Sequence, residues 1–152
     1  MNTAAFHPGE YLQLLTNQLL TKCTHQKIQL NRAWAAAFPS APGVYVFQYK
    51  GKIIYVGETG NLRGRMKDML NTKNHTLRRN IGNKLYCSIK GFQQATSRRS
   101  FIAVIEDMLN THIQTHLTVC CMPVPLGRKE LEEKIQKEHS PEYNKKGLRK
   151  TS

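Results

Sequence analysis

Residues 43–65 read GVYVFQYKGKIIYVGETGNLRGR, and the rest of the chain is arranged around them. Two apolar runs rich in β-branched and aromatic residues, 44–49 and 52–56, flank the dipeptide Lys50-Gly51. Such side chains suit a pleated, half-buried surface and glycine supplies a tight reversal, so the pattern predicts a β-hairpin. Residues 57–61 interrupt the second strand, and Asn61 is placed to cap a helix that begins at Leu62. On that helix Leu62, Met66, Met69 and Leu70 share one face, with Arg65 at its border. Tyr45 and Tyr55 come from the two strands. Two phenols and a guanidinium converging on a small surface suit a phosphate group, which both residue types hydrogen-bond.

At 152 residues the chain is most simply one domain, 1–152, able to bury about two-thirds of its unfolded surface. Lysine and arginine number 23 against 10 aspartates and glutamates, a formal charge of +13. An excess of that size repels itself in a compact fold and favours a polyanionic partner, nucleic acid first. No apolar run approaches the ~18 residues of a membrane span, and no apolar leader with a cleavage site is visible. A cytoplasmic location and no membrane partner are therefore expected. The four cysteines, Cys23, Cys87, Cys120 and Cys121, form no CxxC pair. That argues against a zinc site and a disulfide framework, and for reduced thiols packed as small apolar groups.

Gly43-Val44-Tyr45 and Tyr55-Val56-Gly57 resemble the two halves of the GIY-YIG nuclease signature, at a spacing typical of that family. Arg65 stands eight residues after Gly57, where the family keeps its catalytic arginine. Further on, Pro141-Glu142-Tyr143-Asn144 matches the family's Pro-x-Tyr-Asn tail. Glu132 lies twelve residues before Asn144, at the spacing of the metal-binding glutamate in the repair-nuclease branch. The resemblance implies a metal-dependent endonuclease acting on DNA, with Mg2+ as cofactor and Mn2+ able to substitute. It implies Tyr45 as the base, Tyr55 as a phosphate-positioning group, and Arg65 as the group that neutralises developing charge. Glu132 would hold the metal and Asn144 would brace the site. Met69 stands where many relatives carry His or Tyr; either that group is dispensable, or His75 or another group replaces it. The likeness is good over 43–69, moderate over 117–144 and slight elsewhere.

The residues themselves bear on these roles. With Leu131, Ile135 and His139 facing inward, Glu132 borders an apolar helix face while Glu133 points away. A carboxylate at such a border can reach a site and stay hydrated enough to remain ionised. Glu106 is the alternative metal ligand. Mg2+ suits a site with one carboxylate, because it keeps several of its waters. A phenol has an unperturbed pKa of about 10, so a base near neutral pH needs a cationic neighbour, and Arg65, Lys50 and Lys52 are the candidates. Gly43 and Gly57 are expected to serve backbone geometry.

Residues 1–40 predict an N-terminal helical extension that caps the core, halted by Pro39 and Pro42. A core at 41–144 with a basic insertion at about 70–116 follows, then a basic tail, 145–152. The stretch 70–99 is basic and carries adjacent arginine pairs. Lys52, Arg63, Lys73, Arg78, Arg79, Lys84, Arg98 and Arg99 are the expected phosphate contacts. Residues 85–89 suggest a short strand, and Ser97 or Ser100 could cap a helix over 101–116. Its apolar side would hold Phe101, Val104, Ile105, Met108, Leu109, His112 and His116. His112 and His116, four apart, could share a metal, but read first as completing a packed face. A buried strand over 117–124 and a helix over 130–139 complete the pattern.

The expected fold is α/β of the α+β type: a small, mainly antiparallel three-stranded sheet flanked by helices. The expected activity is hydrolysis of DNA phosphodiester bonds by a restriction-type or mobile-element endonuclease. A repair or structure-selective nuclease and a catalytically inactive nucleic-acid-binding module are the alternatives. The expected partner is double-stranded DNA, with a homodimer if both strands are cut.

Overall fold

Lys50 and Gly51 both adopt positive φ, 52° and 78°, which is the two-residue reversal that matches strand twist. It closes β2 (Gly43–Tyr49) on β3 (Lys52–Thr59) with Tyr49 opposite Lys52. The computed structural model describes residues 6–144; the basic tail expected at 145–152 lies outside them. The sheet is antiparallel throughout, in the order β1-β4-β2-β3, with β1 at Gln26–Lys27 and β4 at Leu117–Pro123.

Four strands replace the three expected. The addition is β1, which pairs with Val119 and Thr118 of β4 and comes from the N-terminal extension. Both its residues are exposed, so no apolar alternation marks it in the sequence.

Alternation across the sheet creates two cores. Tyr45 and Phe47 of β2 and Val119 of β4 face one side; Val44, Val46 and Cys120 face the other. A bulge opposite Phe47 and Gln48 inserts Ile54, so Ile54 and Tyr55 join the first core while Ile53 and Val56 join the second. The first core is covered by α2 (Arg32–Ala36), α3 (Leu62–Asp68), α4 (Thr76–Leu85) and α5 (Ala103–His116). The second is covered by α1 (Pro8–Asn17) and α6 (Arg128–His139), through Leu15, Leu131 and Ile135. Leu19 joins them from the π-helical turn Gln18–Lys22. The N-terminal segment thus closes one face of the sheet and extends its edge.

Three local expectations change. Residues 85–89 form no strand. The α4 helix reaches Leu85 and then steps through turns closed by Tyr86 N–H to Gly82 O and Ile89 N–H to Tyr86 O, both 3.1 Å. The α5 helix begins at Ala103 after Ile102, without a serine cap. Its buried row is Ile105, Leu109 and Ile113, while Val104 and Met108 are 54% and 39% exposed. The apolar stripe is therefore one step round the helix from the expected one, and His116 is exposed. On α6, Leu131 and Ile135 are buried as expected but His139 is exposed.

The expectation for Arg78 is overturned. Its side chain is buried and bonded through all three nitrogens, so it cannot meet a nucleic-acid backbone. Nη2 donates to Glu106 Oε1 at 2.8 Å, Nε to Thr72 Oγ1 at 3.0 Å and Nη1 to Met69 O at 3.1 Å. Glu106 Oε2 accepts the Phe101 N–H at 2.9 Å, and its Oε1 accepts the Thr72 hydroxyl at 2.7 Å. Glu106, the alternative metal ligand, is committed to this network instead. The pair ties α4 and α5 to the 3-10 turn Thr72–Asn74. Arg78→Ala leaves Glu106 half-buried without its cation, so we expect a loss of about 3–5 kcal/mol in urea unfolding. Arg79→Ala should cost under about 1 kcal/mol by the same measurement. Equal losses would contradict the assignment.

Candidate active site

Tyr45 and Gly57 are cross-strand partners, and the Tyr45 ring lies across Gly57. A Cβ at residue 57 would come within 2.3 Å of Tyr45 Cζ and Oη. Gly43 has the same need against Met122 O, at 2.2 Å. Both glycines thus serve close approach, as expected. Tyr55 sits on the same sheet face, its ring centroid 6.3 Å from that of Tyr45.

Arg65 reaches this pair from α3, whose first turn is capped by Asn61 Oδ1 accepting the Gly64 N–H at 3.3 Å. Leu62 and Met66 bury the apolar face of α3, which turns Arg65 toward the phenols. Its Nε donates to Tyr45 Oη at 3.1 Å. Its Nη1 donates to Asp68 Oδ2 at 3.1 Å and to Asn74 O at 3.0 Å. Asp68 and Asn74 carry no motif that marks them in advance; the Arg65-to-Asp68 spacing of one helical turn is the only local signal.

Glu132 is half-buried on α6 and Glu133 exposed, as the helix wheel requires. The charge of Glu132 reaches both phenols. Burial pushes the Tyr45 hydroxyl well above the ordinary phenol range, and Tyr55 adds to the rise. The Arg65 charge and hydrogen bond pull it down, and Glu132 pushes it up again. Burial raises Tyr55 as well, with Arg65 lowering it and Glu132 raising it. Of the cations considered for this role, Arg65 acts on the phenols, whereas Lys50 lies over the Tyr49 ring, 5.3 Å from its centroid.

Asn144 closes the edge of the sheet. Val56 turns its N–H and C=O away from β2, and the Asn144 amide pairs with both: Oδ1 accepts the N–H at 2.8 Å and Nδ2 donates to the carbonyl at 2.9 Å. Two antiparallel bonds from one amide imitate a neighbouring strand. They fasten the segment after α6 beside Tyr55.

Met69 is buried in the core. The group that stands against the phenols is His75, the cap residue of α4. Its ring centroid is 6.0 Å from those of Tyr45 and Tyr55 and 6.1 Å from that of Phe47. His75 Nδ1 accepts the Leu77 N–H at 3.1 Å, which places the ring proton on Nε2. That Nε2 has no hydrogen-bond partner among the described residues. Burial first, then the charges of Arg65, Arg79 and Arg78, hold His75 well below the usual imidazole range.

The expected phosphate contacts divide. Lys52, Arg63, Lys73, Arg98 and Arg99 are exposed, although Arg63 Nε is bonded to Phe38 O at 2.8 Å and Arg99 Nε and Nη2 to Gln94 O at 3.1 and 2.9 Å. Lys84 pairs with Glu142. Arg79 is half-buried, and the charges of Arg65 and Tyr55 bear on it. His112 and His116 have ring centroids 5.1 Å apart, with Tyr49 stacked on His112 at 6.2 Å. Among the described residues no group of three or more His, Cys, Asp or Glu could hold a metal, and no helix is long and apolar enough to cross a membrane.

Among solved structures, the chain is similar to the GIY-YIG N-terminal endonuclease domain of UvrC from Thermotoga maritima. The form bound to magnesium as its catalytic divalent cation is 22% identical, covers 79% of this chain and 100% of that one, and has a TM-score of 0.46. A tyrosine-to-phenylalanine point mutant of the same domain is 21% identical over 80% of this chain and 100% of that one, with a TM-score of 0.47. No family model matches, and no curated protein matches.

Histidine 75 generates a test. An imidazole held neutral in the fold but titrating near 6.5 when unfolded contributes stability above about pH 6.5, lost as pH falls toward its folded pKa. Asparagine keeps an acceptor for the Leu77 N–H and removes the titration. The wild type should lose more stability than His75→Asn between about pH 6.5 and pH 5, by urea midpoints. Parallel losses would contradict the assignment.

Proposed function

We propose that this chain is a metal-dependent endonuclease that hydrolyses DNA phosphodiester bonds at the Tyr45, Tyr55, Arg65 and Glu132 constellation. The observation that carries the reading is the Arg65 Nε hydrogen bond to Tyr45 Oη, formed where the charge of Glu132 also bears on both phenols. A formal charge of +13 supports a polyanionic substrate. Double-stranded DNA is the substrate of this reading.

The residues fit a hydrated Mg2+ or Mn2+. Glu132 is the carboxylate of this reading, its charge bearing on both phenols, and ions of this kind hold few protein ligands and keep several waters. Bound there, such an ion supplies Lewis-acid stabilisation of the phosphoryl and leaving oxygens. The chain's own groups do the rest. Tyr45 acts as its phenolate, which the Arg65 Nε–H stabilises; it orients the attacking water, takes its proton through Oη and becomes the neutral phenol. The Arg65 guanidinium also donates to a phosphoryl oxygen in this reading. The Tyr55 hydroxyl donates to the phosphate and fixes its position. Asn144 holds the β3 edge on which Tyr55 stands. The enzyme is a restriction-type or mobile-element nuclease in this reading.

Plasmid nicking with Mg2+ or Mn2+ tests the activity. Glu132→Gln should reduce cleavage by at least about 10²–10³-fold, while affinity for duplex DNA stays level or rises because a negative charge is removed. Undiminished cleavage by Glu132→Gln would overturn the metal assignment. Absence of cleavage by the wild type with either ion, with duplex binding retained, would favour a nucleic-acid-binding module. A base with a raised pKa also fixes a pH profile. Log kcat/KM should climb with near-unit slope from about pH 6.5 to pH 9. A plateau below pH 8 would exclude Tyr45 as that base.

A further inference from the structure

Arg79 is anchored by three hydrogen bonds to neutral acceptors. Its Nη1 donates to Lys73 O at 2.8 Å and to Thr72 O at 3.2 Å, and its Nη2 donates to Thr76 Oγ1 at 3.2 Å. A guanidinium carries five N–H groups in a fixed plane. These bonds use three and leave Nε–H and one Nη2–H, the edge that meets two oxygens of a phosphate side by side. The acceptors are carbonyls and a hydroxyl, so they fix the orientation of Arg79 without neutralising it. The charges that bear on it are those of Arg65 and Tyr55.

Arg65 stands on the same turn. Its Nη1 donates to Asn74 O, the carbonyl that follows the two Arg79 uses. Two guanidinia are thus anchored on successive carbonyls beside Tyr55. Each feels the other's neighbourhood: Arg65 opposes the charge of Arg79, and Tyr55 favours it. Two guanidinium charges brought together form a binding site for an anion. Arg78, the sequence neighbour, is the contrast, since its charge is buried and paired with Glu106.

We propose that Arg79 and Arg65 together form a two-guanidinium seat for a nucleic-acid phosphodiester beside the two phenols, with the Thr72–Asn74 turn setting their spacing. The identity of the ligand rests on the nuclease reading above; the geometry of the seat does not. Arg79 is a binding residue that positions the strand, and Arg65 links the seat to the reacting phosphate.

The test uses the full chain and a fluorescein-labelled duplex of random sequence, in EDTA, followed by fluorescence anisotropy across a salt series. Arg79→Gln should weaken binding several-fold and reduce the slope of log Kobs against log salt by about one unit. Arg79→Lys keeps the charge but not the fork, so the slope should stay and the affinity should still fall. Thr76→Ala, which frees one N–H of the fork, should weaken binding less than either. Thermal melts of each variant establish folding, and Arg79→Lys decides the matter if Arg79→Gln is unstable. Unchanged affinity and slope in Arg79→Gln, or wild-type affinity in Arg79→Lys, would overturn the seat. Because this readout is metal-free, a wild type that binds with the expected slope but cleaves with no metal would sink the nuclease reading and leave the seat standing. A wild type that cleaves while Arg79→Gln binds unchanged would do the reverse.

Discussion

A tyrosine ring laid across a glycine is the contact on which the site depends. Gly57 has room for the Tyr45 phenol only because it lacks a Cβ, and the cross-strand pairing of the two residues fixes where the hydroxyl ends. That hydroxyl is buried, so it needs a polar partner, and Arg65 supplies one from α3. The guanidinium is in turn partly buried and is completed by Asp68 and Asn74 O. Strand register, helix placement and the following turn are thereby coupled through one hydrogen bond. A shift of one residue in the β2–β3 register would send Tyr45 to the opposite face of the sheet, away from Arg65.

The turn at Thr72–Asn74 is the second organising element. Three arginines bond to it or beside it, and each does something different. Arg78 is buried and tied to Glu106, Arg65 joins the turn to the phenols, and Arg79 lies at the rim. The first contributes stability, and the other two hold positive charge at a fixed place. His75 follows at once as the cap of α4 and turns its ring toward Tyr45 and Tyr55. A short stretch thus joins core, helix cap and site.

Much of this was legible in the chain. The hairpin, its turn, the Asn61 cap and the inward face of α3 all follow from local pattern, because neighbouring residues decide them. The border position of Glu132 also follows from helical periodicity. What the pattern could not give was pairing at a distance. Arg78 and Glu106 are 28 residues apart, and nothing local separates a buried arginine from a solvated one beside it. The two-residue strand β1 carries no apolar signal, since it is held by backbone bonds to β4 alone. The α5 face was misplaced because Val104 and Met108 are apolar yet exposed, so composition pointed one step away from the buried row. The role of His75 against the phenols needed the turn geometry, and the chain offered it only as a substitute for Met69.

The most direct test of the central claim, that Tyr45 and Arg65 act as one unit, is a double-mutant cycle on cleavage of a labelled duplex. Tyr45→Phe, Arg65→Gln and the double variant would be compared by kcat/KM under identical metal and salt. If the hydrogen bond couples them, each single change should cost about 10²-fold or more, and the double variant should fall little below the worse single one. Losses that multiply would mean that the two side chains act independently, and would contradict the account.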